Sequence, residues 1–253
     1  MNAALQQNLA ASAIALHGIG KRFDSLEVLR DISFDVRQGE VVALLGTSGC
    51  GKSTLLNIVS GLLAPDQGEL SLFGERSSEF AAWQRVAYMF QEDRLLPWRS
   101  VQANVAFSLE GSAIGKAERT RRVAEALRLV GLDAFASAWP HQLSGGMRSR
   151  VALARSLVVN PQLLLMDEPF SKLDPQTRSQ MHEELLRLQR LTGMTVLFVT
   201  HDVEEAIVLA DRVVVLEPRP GRVRAMHTIN LARPRIPTDP AVTEQVRRLR
   251  LEL

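Results

Sequence analysis

One cysteine, Cys50, is all that the 253 residues contain. That excludes an internal disulfide and fits a reducing compartment. An excess of one charge is missing as well, with Lys+Arg 30 against Asp+Glu 28. The basic residues are scattered, whereas nucleic acid calls for a concentrated basic footprint, so no nucleic-acid partner is expected. The densest cluster in the middle of the chain, "RTRR" at 119–122, reads as the solvated face of a helix. No run of about eighteen apolar residues occurs, so the chain is not expected to span a membrane by itself. The first residues, "MNAALQQNLAASAIALHG", lack a basic start and a sustained apolar stretch, which argues against a secretory signal. Internal repeats and low-complexity segments are also lacking.

What is present is the balance of an ordinary globular protein, 46% hydrophobic and 23% charged, with length enough for a real core. "ISFDVR" (32–37) alternates apolar and polar and predicts a half-exposed antiparallel strand, with "ELSLF" (69–73) as its companion. "VVALL" (41–45), "LLLM" (163–166), "TVLFV" (195–199) and "VVVL" (213–216) are continuous apolar runs, the pattern of buried parallel strands. Helical patterns fall between them at 52–63, 176–191 and 203–210, and a mostly helical stretch fills about 92–158. The class is therefore α/β, with a mainly parallel sheet, an N-terminal antiparallel β region and a helical insertion. After 217 the chain reads as a short loop and a basic amphipathic helix.

Three stretches carry chemistry. "GTSGCGKST" comprises Gly46, Thr47, Ser48, Gly49, Cys50, Gly51, Lys52, Ser53 and Thr54, and it follows a predicted strand and opens a helix. That is where a phosphate-cradling loop belongs: backbone N–H groups curl round phosphate oxygens, Lys52 adds positive charge, and Ser53 can ligate Mg²⁺. Cys50 reads as a small loop residue rather than a nucleophile. "LLLMDEP" (163–169) ends a buried strand with two carboxylates, Asp167 for the Mg²⁺ shell and Glu168 able to accept a proton from an attacking water. "LSGGMRSRVALARSL" (143–157) sets Ser144, Gly145 and Gly146 before a second helix start, which also attracts anions.

Taken in order, the phosphate loop, Gln91 after "RVAYMF", "LSGGM", "LLLMDE", "SKLD" (171–174) and His201 in "VTHD" resemble the nucleotide-binding subunit of an ATP-binding cassette (ABC) transporter, over residues 12–217. The resemblance implies a P-loop NTPase core of the ABC ATPase fold, with about 91–158 as its helical subdomain and 218–253 as an appendage. It implies ATP and Mg²⁺, with Ser53, Gln91 and Asp167 at the metal, Glu168, Gln91 and His201 as the catalytic set, and Phe23 stacked on adenine. The bland alternative for Phe23 is a core residue on a strand edge. His17, His141, His182 and His227 match no motif and read as surface or packing residues.

In this family two cassettes pair head to tail, and ATP lies between the phosphate loop of one and the signature of the other. Ser144, Gly145 and Gly146 are thereby expected to serve the partner's ATP, an isologous arrangement with two sites. The further partners implied are a membrane permease and, indirectly, a periplasmic or extracellular binding protein, with the subunit peripheral on the cytoplasmic face. Met147, Thr47 and Lys172 depart from the commonest wording of the motifs.

"FQEDRLLPWRSVQANVAF" (90–107) resembles the nitrate, sulfonate and taurine importer branch, which implies uptake of a small anion. The rival readings are an efflux or lipid-handling energiser, a soluble ABC ATPase acting on DNA or ribosomes, and a regulator without turnover. Long heptads and a second phosphate loop, which the soluble types carry, are lacking, and Glu168 with His201 argues against the regulator.

Overall fold

A computed structural model describes residues 12–252, so the first eleven residues of the stretch that bears on a secretory signal lie outside the described residues. The chain divides into two compact units: the described residues up to Trp83 together with those from Gly193 onward, and Gln84–Thr192.

The first unit opens with a long hairpin, β1 (Ser12–Phe23) and β2 (Leu26–Arg37), in antiparallel register with Leu16 opposite Phe34. The segment expected to accompany β2, now β4 (Gln67–Leu72), pairs instead with the other side of β1, Leu16 opposite Leu70. A small strand β5 (Glu75–Arg76) completes the order β2-β1-β4-β5. The reason is that β1 had no legible alternation: "SAIAL" is buried on both sides, so period two gave no signal there.

The same unit holds β3 (Val41–Gly46), flanked in parallel by β8 (Thr195–Thr200) and β9 (Arg212–Glu217). Every residue of β3 and β8 is buried, as continuous apolar runs require when both faces are covered. The segment after 217 holds more than a loop and a helix, because a turn at 218–220 leads into a further strand. Residues Arg222–Thr228 form β10, antiparallel to β9, and their alternation of half-buried and exposed positions marks a sheet edge.

Among the described residues three α-helices belong to this unit. Helix α1 (Lys52–Val59) stops short of the expected 63 because Gly61 turns left-handed at φ 75°. Asp202 caps α6 (Val203–Leu209), its Oδ1 accepting from the Glu204 N–H at 2.9 Å. Helix α7 (Pro240–Leu251) packs on α6 through Val242, Val246 and Leu249. Between them Arg235, 6% exposed, donates to the carbonyls of Ile207, Ala210, Ile229 and Leu231, and Arg233 donates to Leu209 O and pairs with Asp211 at 2.8 Å. Burial, with Arg233 nearby, pushes the Arg235 guanidinium down to about 10. It keeps its charge at neutral pH, and buried donors and acceptors satisfy one another.

In the second unit β6 (Val86–Met89) and β7 (Leu163–Asp167) run parallel, Tyr88 opposite Leu165. Helices α2 (Val101–Phe107), α3 (Lys116–Leu129), α4 (Gly145–Leu157) and α5 (Pro175–Thr192) surround this unit's sequence. Residues 91–100 are irregular where helix was expected from about 92, and the first helix waits for the Ser100 cap. Pro97 accounts for this, since it disfavours helix at the residue before it and cannot donate to one.

Candidate active site

The phosphate loop is built by close approach. A Cβ on Gly46 would sit 2.6 Å from Leu216 O and 2.7 Å from Cys50 Sγ, so only glycine fits the end of β3. Gly49 and Gly51 lie at φ 81° and 92°, the left-handed region that glycine enters freely. Thr47, Ser48 and Gly49 are exposed while Cys50 is fully buried, so the loop presents backbone outward and seals its thiol inward. Gly221, at the start of the last strand, closes over Cys50: a Cβ there would meet Cys50 O at 2.2 Å.

Lys52 opens α1 and is 6% exposed. Its ammonium donates to Gly46 O at 2.8 Å and Thr47 O at 2.9 Å, across the mouth of the loop. Ser53 is exposed in the first turn of α1, a helix start with no side-chain cap and no acidic residue. A helix start offers N–H donors and a positive dipole end, the two requirements for phosphate. His201 is exposed at the bend where β8 gives way to Asp202 and α6. Phe23 ends β1 and is 46% exposed, with Lys21 Nζ 5.6 Å from its ring centre, so it is not a core residue.

The second unit holds the carboxylates. Asp167 and Glu168 are half-buried at the end of β7, and Gln91 Nε2 donates to Glu168 Oε2 at 3.3 Å. Glu168 sits at φ 43° immediately before Pro169, a conformation that costs a non-glycine residue about 1–3 kcal/mol and is found at functional positions. Ser171 holds it there, its hydroxyl and N–H donating to Glu168 O at 2.9 and 3.3 Å. Asp174 caps α5, and the Thr177 hydroxyl and backbone N–H draw its carboxyl below the usual range.

Tyr88 was not anticipated. Its phenol donates to the Asp167 carboxylate, and burial, followed by the Asp167 charge, raises it above the usual phenol range. A strand residue facing a carboxylate on the neighbouring strand, far away in sequence, leaves no local sequence signal; only the pairing of β6 with β7 brings the two together.

Ser144 caps α4, and its Oγ accepts from Met147 N–H at 3.2 Å. Ser144 and Gly145 are exposed. Gly146 approaches Thr177 so closely that a Cβ would lie 2.5 Å from Thr177 Cγ2. Of the first-turn donors, Met147 N–H is met by the cap itself, while Ser144 and Gly145 stand at the exposed start of the helix.

Residues 29–171 match the family described as ABC transporter. The chain belongs to the ABC transporter family. This ABC subunit is 47% identical over 228 residues to an aliphatic sulfonates import ATP-binding protein of Xanthomonas axonopodis pv. citri, covering 90% of each chain. It is 47% identical over 209 residues to a taurine import ATP-binding protein of Rhizobium johnstonii, covering 83% of this chain and 79% of the relative. Among solved structures it is similar to a dimeric ATP-binding cassette in a post-hydrolysis state bound to ADP and Pi, with a TM-score of 0.75 and 29% identity over 87% of this chain and all of that one. The fold of this ABC subunit is the ABC ATPase fold; it binds ATP, and it is an ATPase coupled to transport. No helix among the described residues is long and apolar enough to cross a membrane.

Proposed function

We propose that two copies of this subunit, paired head to tail, hydrolyse ATP to drive uptake of a small sulfonate, taurine included, through a separate membrane permease on whose cytoplasmic face they lie. A binding protein outside the membrane delivers the solute, which never touches this chain. The observation that carries the reading is the near end-to-end match to two import subunits whose named solutes share a sulfonate group. Import names on both favour this over efflux, lipid handling or a soluble role.

In this reading the loop from Gly46 to Thr54 and Lys52 bind the phosphates, and Phe23 stacks on adenine. Glu168 Oε2 takes the proton of the attacking water while Gln91 orients that water and His201 contacts the γ-phosphate; the bond from the γ-phosphorus to its bridging oxygen breaks, leaving ADP and phosphate. Ser144, Gly145 and Gly146 offer hydroxyl and N–H groups to the γ-phosphate held by the other copy. The donors available for Mg²⁺ are Ser53 hydroxyl, Gln91 amide and Asp167 carboxylate, all hard oxygen ligands and few in number. Among the described residues no cluster of three His, Cys, Asp or Glu exists, which suits an ion that keeps its waters and phosphate oxygens rather than one caged by protein. Held by these groups, the ion would supply neutralisation of charge on the phosphates. Tyr88 fixes the orientation of the Asp167 carboxylate.

Deleting the gene should abolish growth on an aliphatic sulfonate or taurine as sole sulfur source and leave growth on sulfate unchanged. Unimpaired growth on both sulfonates, or a defect confined to nitrate, would sink the assignment. For the permease contact we assign "RLLPWRSV" (94–101), where Leu95 is buried but Trp98 is 70% exposed, a large apolar side chain on the surface rather than in the core. Trp98→Ala should alter stability by no more than about 0.5 kcal/mol and leave basal ATPase intact, yet abolish co-purification with the permease. Normal assembly, or a large drop in melting temperature, would remove Trp98 from that contact.

A further inference from the structure

The irregular segment 91–100 is held at several points despite having no regular structure. Asn104, fully buried in α2, accepts from Leu96 N–H at 2.7 Å and donates to the carbonyls of Leu96, Arg99 and Ser100. Nearer Gln91 the holding groups come from α4. Arg155 donates to Asp93 O at 2.6 Å and Arg94 O at 2.7 Å, and Arg148 Nε donates to Asp93 Oδ2 at 3.0 Å. The other arm of Arg148 donates to Leu143 O at 2.9 Å, the residue just before the Ser144 cap.

Arg148 and Arg155 are seven apart, two turns of helix, so they share one face of α4. Their placement is not cheap. Arg148 lies in the first turn, where the helix dipole disfavours a cation, and α4 has no acidic residue there to offset it. Asp93 supplies that charge from 55 residues away. The pair is about one-third exposed on both sides, so it contributes little to folding. What a planar guanidinium with two fixed acceptors does supply is orientation.

We propose that Arg148 and Asp93 brace the Gln91 loop to the start of the signature helix, so that the two move as one piece and nucleotide-dependent displacement of Gln91 is carried to Ser144. Arg148 is a positioning residue, with Arg155 holding the same loop by its carbonyls. The coupling is reciprocal: engagement of Ser144 by the other copy's nucleotide biases Gln91 in its own. This rests on the assignment of Gln91 and Ser144 to phosphate handling made above.

Asp93→Asn keeps size and removes charge, Arg148→Gln shortens the side chain and removes charge while staying polar, and Arg155 is left intact because its loss strands two carbonyls. Each single variant should lower kcat about tenfold, with KM for ATP within about twofold of wild type and melting temperature nearly unchanged. The double variant should be no worse than either single, about tenfold rather than about a hundredfold, because both remove the same link. Arg148→Lys, which keeps the charge opposite Asp93, should recover at least about a third of the wild-type kcat. Glu168→Gln is measured alongside. If it keeps turnover, the reading of the site has failed; if it is inactive while the single variants keep more than about half of kcat, or if their effects multiply, the brace is overturned.

Discussion

Glu168→Gln is expected to reduce ATP turnover by about a hundredfold to ten-thousandfold, the usual loss when a general base is removed, while ATP still binds. The change is confined to one oxygen. The glutamine keeps a carbonyl able to accept from Gln91 Nε2, now 3.3 Å from Glu168 Oε2. Ser171 continues to hold the backbone of residue 168 in its left-handed conformation. Neither Lys52 nor the phosphate loop is disturbed, so nucleotide affinity should match wild type. An ATP-bound dimer should accumulate and be visible by size-exclusion chromatography with ATP and Mg²⁺. Turnover above about half of wild type would take the role of base away from Glu168.

Ser144→Arg should be as damaging by a different route. The substitution costs about 1 kcal/mol of helix capping, since Ser144 Oγ accepts from Met147 N–H, but the side chain is exposed and nothing in the core depends on it. The monomer should stay folded and bind ATP as before, and on the proposed pairing hydrolysis should disappear, because a bulky cation replaces the hydroxyl offered to the other copy's phosphate. Mixing it with a Lys52→Ala chain separates the cases. In that heterodimer one site carries both defects and the other carries neither, so partial activity should return. Loss of ATP binding by the Ser144→Arg monomer alone would end the assignment across the dimer.

The phosphate loop, the carboxylate pair and the signature stand out in the sequence because each is a local device: a few consecutive residues set the backbone. The strands that carry them were legible for a related reason, since β3, β7 and β8 are nearly or wholly buried and announce it as unbroken apolar runs. β1 and β10 were not. The first is buried on both sides for part of its length and half-exposed for the rest, and the second is a short polar edge. Asp93, Arg148, Arg155 and Tyr88 escaped notice because their partners lie 55 to 79 residues away or across a strand pair, where only tertiary packing brings the groups together. The seven-residue spacing of the two arginines was the one trace visible in advance, a shared helix face with no stated neighbour.

Helix α6, which follows His201, is seven residues long, too short to persist without support. Its last carbonyls are met by Arg233 and Arg235, which lie beyond β10. The C-terminal tail is therefore not free to fray on its own. Releasing it would strand the acceptors at the end of α6 in a buried setting, so tail and helix form one cooperative unit that opens together or not at all. Local melting that begins in the tail is felt beside His201.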